Sequence, residues 1–553
     1  LKDDSSIDNE WRKFFEGFEF ARKNFEETGE VPENLKKEFD VNTKSFIENG
    51  FKMDESKGSA SYLDDNTLIV SSDFGKGTMT NSGYPRQVKL WKRGTELKDA
   101  KLIFEGDVED VASAGYNLRD GEKNYFMLSR ATTFYTNKSF IWQNEKLVNL
   151  ELPEDADINE ILNNQLIITL KSDWIVDGKT YKQGSIISAN FTSLISGKKE
   201  IQLVFEPDEF TSISNVSPTK NKLLINILTN VKNELYIYTY TNNKWGKIKV
   251  AAPDFGTISL GSIDEFSDQY FFYFQNFLTP PSLYFGDAAN NSIKLIKSLP
   301  SYFDADKYQV NQYKSKSKDG TMIPYFVISA KAIKYDGTNP TLLYAYGGFE
   351  VSSLPYYLSV IGNAWLENGG VYVLANIRGG GEFGPKWHQA GLKEKRQHVY
   401  DDFYSVAEDM ITRKITSSKN LGIMGGSNGG LLVGVAVTQR PELFNAAVCA
   451  VPLLDMKRFS HLLAGASWMG EYGDPDKAEE WAYIQKFSPY HNLKKDVKYP
   501  EVFFTTSTRD DRVHPGHARK MVAKMTDSGC KVYYYENTAV SYTHLTLPTN
   551  REV

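Results

Sequence analysis

At 553 residues the chain is too long for one ordinary domain, and its length implies roughly two to four. A net charge of −6 with no basic block excludes a nucleic-acid partner, no run of about 18 apolar residues is present to cross a membrane as a helix, and the two cysteines and seven histidines show no metal-ligand spacing, so no metal or organic cofactor is expected. Apolar residues make up 41% and aromatics 13%, with 32 Tyr and 33 Phe, which suits many short strands.

The chain starts at Leu1 rather than Met, so the native start is expected upstream. Residues 1–38 are polar and charged, and Trp11, Phe14, Phe15, Phe18 and Phe20 allow an amphipathic helix over 10–27; this segment is otherwise unassigned. From 39 to 303 the texture is all-β. Short apolar or alternating runs recur at 67–71, 87–91, 101–104, 124–128, 165–170, 201–205, 222–228, 234–240 and 269–274. Turn signals such as Asp64-Asp65-Asn66, Asp120-Gly121 and Asp177-Gly178 separate them. Such an array builds a sandwich or a propeller, and no repeat signature chooses between the two.

From 304 to 538 the pattern becomes alternating. Predicted strands at 341–344, 370–375, 421–424, 446–450, 502–506 and 531–536 are interleaved with helical stretches. One of these, 400–413, places Phe403, Val406, Ala407 and Met410 on one face, and another spans 515–528. This is a mostly parallel, doubly wound sheet covered on both faces. Cys449 and Cys530 lie in its apolar segments and read as thiols rather than a disulfide.

The chemistry centres on residues 420–434. An apolar strand is followed by Gly425-Gly426-Ser427-Asn428-Gly429, a G-x-S-x-G elbow, and then by a small-residue apolar helix. The glycines permit a sharp strand-to-helix turn that exposes the serine hydroxyl, and the helix N-terminus offers N–H groups to an oxyanion. The plain alternative is a glycine-rich turn before a helix. A serine nucleophile needs a base and an orienting carboxylate, in the chain order Ser, acid, His for this fold. Asp510, just past the 502–506 strand, is the candidate acid, with Asp511 as fallback; Asp474 and Asp476 read as turn or cap residues.

The second half resembles the prolyl oligopeptidase family of serine peptidases along most of 305–537. The resemblance is carried by Asp319-Gly320-Thr321 with Ile323-Pro324, Tyr346-Gly347-Gly348-Phe349, Ala375-Asn376-Ile377-Arg378-Gly379-Gly380-Gly381-Glu382 and Trp387-His388. Further along the chain come Ser427 in Gly-Gly-Ser-Asn-Gly-Gly, Gln439-Arg440-Pro441, Ser488-Pro489-Tyr490 and Asp510-Asp511-Arg512-Val513. It implies a β-propeller over an α/β-hydrolase domain, with the active site in the cavity between them. The propeller of 39–303 is then expected to be incomplete, and the chain a fragment at its N-terminal end. By motif, the resemblance makes Ser427 the nucleophile and Asp510 the triad acid. Tyr346 and the Asn428 N–H become the oxyanion donors, and Arg512 a holder of a substrate carbonyl or carboxylate. Tyr346 read alone is a core aromatic before a glycine turn, and Arg512 read alone is a partner for Asp510 or Asp511.

Trp468 matches the family tryptophan that stacks on proline, with Phe349, Tyr472 and Val513 completing an apolar slot. The partners implied are short peptides cut after proline, the expected state is a monomer, and the expected compartment is the cytoplasm, with the periplasm as second choice. A branch similar to oligopeptidase B cuts after Lys or Arg using acidic residues, and Glu471 keeps that reading open. A related esterase activity and a non-catalytic propeller scaffold are also compatible with the sequence.

The sequence departs from the family where the triad histidine should follow the strand ending near Glu536. Residues 539–549 instead read AVSYTHLTLPT, which resembles a translated sequencing-library adapter, so 539–553 is expected to be a foreign tail. His544 lies in it and is not expected to be catalytic. The chain as written is therefore expected to lack its general base and to be nearly inactive.

Overall fold

A computed structural model describes residues 37–538 apart from 41 and 55. The helix predicted over 10–27, the tail at 539–553 and His544 lie outside the described residues. The described chain divides into two compact units. One comprises the chain up to 118 with 124–132 and 138–148; the other comprises 119–123, 133–137 and everything from 149 on.

Residues 59–298 form five four-stranded sheets, each a simple antiparallel meander in chain order. The first contains Ser59–Asp64, Thr67–Ser71, Gln87–Lys92 and Lys101–Glu105, and the second Ala112–Asp120, Lys123–Ala131, Asn137–Gln143 and Lys146–Asn149. The third runs from Asp157–Leu162 to Ile201–Phe205, the fourth from Thr211–Pro218 to Lys244–Lys249, and the fifth from Thr257–Ile263 to Ser292–Ser298. Several hairpins close on two residues that both take positive φ, as at Asn163-Asn164 and Asn242-Asn243, the geometry that matches the strand twist and favours Asn. Within a meander the inner strands are the buried ones. Leu223–Thr229 is buried along nearly its whole length, whereas the outer strand Lys244–Lys249 is lysine-rich and mostly exposed, which protects an open edge.

The remaining chain builds one eight-stranded sheet from β1 (Tyr308–Lys316), β2 (Met322–Ala330), β3 (Thr341–Tyr344), β4 (Val371–Ala375), β5 (Leu421–Gly426), β6 (Ala446–Ala450), β7 (Glu501–Ser507) and β8 (Val532–Asn537). Their spatial order is β1-β2-β4-β3-β5-β6-β7-β8. β1 pairs antiparallel with β2 and β2 with β4; every later pairing is parallel. Three longer helices are α1 (Gln397–Thr412), α2 (Asn428–Gln439) and α3 (Gly516–Asp527). α1 buries Phe403, Val406, Ala407 and Met410, the face its spacing predicts. α2 is apolar on all sides and buried from Asn428 to Val437, as a helix enclosed by its surroundings must be. Cys449 is a buried free thiol and Cys530 a half-buried one.

Some of the motif residues are structural. Arg378 of the Asn376-Ile377-Arg378 segment donates from Nε and Nη2 to Asp402 of α1 (2.8 and 2.6 Å) and from Nη1 to Asp319 (2.5 Å). Ser317 also donates to Asp402, at 2.6 Å. This fork ties the turn after β1, the loop after β4 and α1 into one block.

Candidate active site

Ser427 sits between β5 and α2 at φ 56°, ψ −118°. A non-glycine residue there costs of order 1–3 kcal/mol and persists only where its surroundings fix it. Its N–H donates to the Ala450 carbonyl of β6 (3.0 Å), and its carbonyl accepts from Gly430 and Leu431 (2.9 and 3.1 Å). The turn is tight enough that a Cβ on Gly425 would lie 2.4 Å from the Gly429 carbonyl oxygen, so the elbow needs glycine there. The serine is half-buried.

Parallel pairing brings the other candidates to the same sheet end. Tyr344 of β3 pairs with Met424 of β5, so Tyr346, two residues beyond β3, faces Ser427. Burial raises the Tyr346 phenol and a hydrogen bond with Ser427 offsets part of that, so the hydroxyl is neutral at physiological pH. Asn428 is the first residue of α2, where a helix leaves its N–H without an intrahelical partner. Asp510 lies three residues beyond β7 and is 4% exposed. Its Oδ1 accepts from the N–H groups of Arg512 (2.9 Å) and Val513 (2.8 Å), while Oδ2 is buried without a hydrogen-bond partner among the described residues. Burial raises its pKa and the two turn amides oppose the rise. Asp511 is exposed, and Asp474 with Asp476 occupies a turn capped by Glu480 and His461. Thr508 N–H donates to the Asn537 carbonyl (2.9 Å), which sets the end of β8 beside the Asp510 turn.

None of the six described histidines has Ser427 or Asp510 as a hydrogen-bond partner. His388 meets Glu471, His398 the Ala390 carbonyl, His461 Asp476, His491 Ser488, and His514 the Gly516 N–H. His517 accepts from the Leu454 and Asp455 amides, and burial pulls it down to about 4.

Trp468, Tyr472 and Val513 lie in one buried cluster with Phe349 packed against it. The Phe349 ring meets Tyr472 edge-on at 5.7 Å. Two residues not anticipated from the sequence join them. Phe134, 45% exposed, stands edge-on to Phe349 at 5.3 Å, and the Tyr135 ring lies 4.9 Å from His388. Both come from the turn between Lys123–Ala131 and Asn137–Gln143, where an aromatic pair outside any alternating strand is the only sequence signal. Phe349 also lines a cavity of about 1090 Å³, whose lining includes the Lys171–Glu350 ion pair (2.9 Å) and not Ser427.

Glu471 corrects one expectation. It is fully buried, and its carboxylate accepts from Arg396 Nη1 (2.5 Å), His388 Nε2 (2.9 Å), the Phe349 N–H (3.1 Å) and the Tyr135 hydroxyl. Burial would raise its pKa, but His388, Arg396 and Tyr135 hold it below the ordinary value. A carboxylate so committed has no lone pair left for a substrate lysine or arginine.

The comparisons agree across both halves of the chain. The profile of the prolyl oligopeptidase N-terminal β-propeller domain matches residues 33–299, and that of the prolyl oligopeptidase family matches 357–541. The meanders are thus propeller sheets, the choice that periodicity left open. The chain is 46% identical over 510 residues to an uncharacterised peptidase, y4nA, of Sinorhizobium fredii, covering 91% of this chain and 70% of that one. It is 32% identical over 485 residues to a prolyl endopeptidase of Elizabethkingia meningoseptica, covering 85% and 66%. The structure of a post-proline cleaving enzyme from Rickettsia typhi superposes with a TM-score of 0.87 at 35% identity, covering 91% of this chain and 75% of that one. On profile, identity and fold together, the chain belongs to the prolyl oligopeptidase family of serine peptidases.

Proposed function

We propose that the protein cuts short peptides on the carboxyl side of proline, with Ser427 as nucleophile. The observation that carries this is the Ser427 elbow with the neutral Tyr346 hydroxyl facing it, next to Asn428, whose side chain the Tyr472 hydroxyl of the Phe349–Tyr472 aromatic pair reaches. Ser427 Oγ attacks the proline carbonyl carbon and gives its proton to a base. The carbonyl oxygen becomes an oxyanion held by the Tyr346 O–H and the Asn428 N–H, each such donor being worth about 10²–10³ in kcat. The C–N bond then breaks, the amine leaves with the proton, and water hydrolyses the acyl-enzyme. Asp510, with Oδ2 unpartnered and Oδ1 fixed by its turn, is the acid that orients the base. The family implies a histidine for that base, and none of the described histidines is placed for it.

Phe349, Trp468, Tyr472 and Val513 form the proline slot, and Arg512 holds a substrate carbonyl or carboxylate. The saturation of Glu471 supports proline over a basic residue at that slot. The test compares fluorogenic peptides ending in Gly-Pro and Gly-Arg, together with fluorophosphonate labelling, in wild type and Ser427→Ala. Labelling confined to Ser427 and a preference for Gly-Pro are expected; a preference for Gly-Arg, or labelling that survives Ser427→Ala, would overturn the reading.

A further inference from the structure

We infer that the side chains of Asn428, Arg396 and Glu471 form one positioning relay that holds the two oxyanion donors in register and ties them to the proline slot. The inference rests on the reading of Ser427 as nucleophile.

Asn428 contributes more than its N–H. Its Oδ1 accepts from Arg396 Nη2 and from the Tyr472 hydroxyl (2.8 Å), and two donors on one oxygen fix which way the carboxamide faces. Nδ2 is thereby aimed at the Tyr346 carbonyl, to which it donates at 2.7 Å. One residue therefore supplies one oxyanion donor from its backbone and clamps, through its side chain, the residue that supplies the other. The clamp needs close approach: a Cβ on Gly348 would lie 2.5 Å from Asn428 Nδ2.

Arg396 is 1% exposed and spans two acceptors, Asn428 through Nη2 and Glu471 Oε1 through Nη1 at 2.5 Å. The same Oε1 receives the Phe349 N–H. The rigid planar fork of a guanidinium can serve both acceptors at fixed angles, which a single ammonium cannot. A buried ion pair of this kind is seldom the most stabilising way to fill such a volume, so its placement between the oxyanion donors and the slot wall points to orientation rather than stability. Arg396 and Glu471 touch no reacting atom in this scheme; they are positioning residues.

The test uses the full chain and two ligands. One is a prolyl boronate, which becomes tetrahedral on Ser427 and engages the oxyanion donors. The other is an acyl-pyrrolidine, which fills the slot and carries no group for those donors. Asn428→Asp keeps the Arg396 contact and loses the donor to Tyr346, and Arg396→Lys loses the fork. Both are expected to weaken boronate binding about 10- to 100-fold, and Tyr472→Phe about 2- to 10-fold. In Asn428→Asp and Arg396→Lys, acyl-pyrrolidine affinity should change less than about threefold, with unfolding temperatures close to wild type. Unchanged boronate affinity in Asn428→Asp and Tyr472→Phe overturns the relay, as does equal weakening of both ligands in Asn428→Asp. Should Arg396→Lys not fold, those two variants decide. Ser427→Ala separates the underlying reading: boronate affinity unaffected by it sinks the nucleophile assignment, whereas loss there with intact Asn428→Asp binding sinks the relay alone.

Discussion

The Phe349 backbone N–H donates to the buried Glu471 carboxylate at 3.1 Å, so the wall of the aromatic slot is fixed by the same group that receives Arg396. Phe349 itself has φ 57°, a left-handed conformation that this contact helps to hold. The position of Phe349 is thus set from behind, by the buried Glu471 and Arg396.

Phe134, exposed and edge-on to Phe349, is the outer end of the proposed slot. Phe134→Ala should lower kcat/KM on a Gly-Pro substrate about 2- to 10-fold, the range of one aromatic pair. The loss should fall on KM and leave kcat within about twofold. A fall confined to kcat would place Phe134 outside the substrate path.

Tyr346→Phe removes only a hydroxyl. It should lower kcat about 10²- to 10³-fold with KM nearly unchanged, measured by steady-state kinetics where turnover is measurable and otherwise by the rate of fluorophosphonate labelling of Ser427. An unchanged labelling rate would remove Tyr346 from the oxyanion site.

Glu382 is 1% exposed. Its Oε1 accepts from the Ser353 N–H (2.8 Å) and its Oε2 has no partner among the described residues. Burial pushes it up to about 7 from an ordinary 4.5. Below 4.5 both folded and unfolded chains hold the proton. Between 4.5 and 7 only the folded chain does, so stability falls as pH rises through that window, by about 3 kcal/mol in all. Glu160, pushed to about 7 by burial, adds a change of the same sign. Glu382→Gln should therefore melt higher than wild type at pH 8.5 and close to it at pH 4.5. A constant offset between the two melting curves would refute the assignment.

Asp402 is fully buried and neutralises Arg378. Asp402→Ala leaves that buried cation with only the partly exposed Asp319 and should cost about 3–5 kcal/mol in denaturant unfolding. Asp319, partly exposed, should cost under about 1 kcal/mol when replaced by alanine. Equal costs would mean the two carboxylates share the cation evenly.

His544→Ala tests the base directly. Turnover of the 553-residue chain should be low and unaffected by the substitution. A further fall of about 10³-fold or more would make His544 the general base.

The parallel strands of the catalytic sheet are legible in the sequence to within a residue or two because their apolar runs are continuous, most clearly at Val371–Ala375, which is buried along its whole length. β1 and β2 are not. β1, Tyr308–Lys316, is polar and half-exposed at the sheet edge and carries little periodic signal. Lys244–Lys249, the outer strand of the fourth propeller sheet, escapes for the same reason. In the site, Ser427, Tyr346, Asp510 and the slot aromatics are legible because short local motifs carry them. Glu471 misleads a linear reading because its meaning depends on Arg396, His388 and Tyr135, none of them local to it. Phe134 and Tyr135 stay hidden because their partners lie hundreds of residues away.

That distance has a consequence for biosynthesis. Tyr135 and its acceptor Glu471 are separated by 336 positions. At roughly 5–20 residues per second, a ribosome takes from about a quarter of a minute to more than a minute to make the second partner after the first. Until then Tyr135 lacks its carboxylate acceptor and the Phe349 N–H lacks the group that fixes it. Glu471 follows six of the eight strands of the hydrolase sheet, so this contact closes only after most of that sheet has been translated.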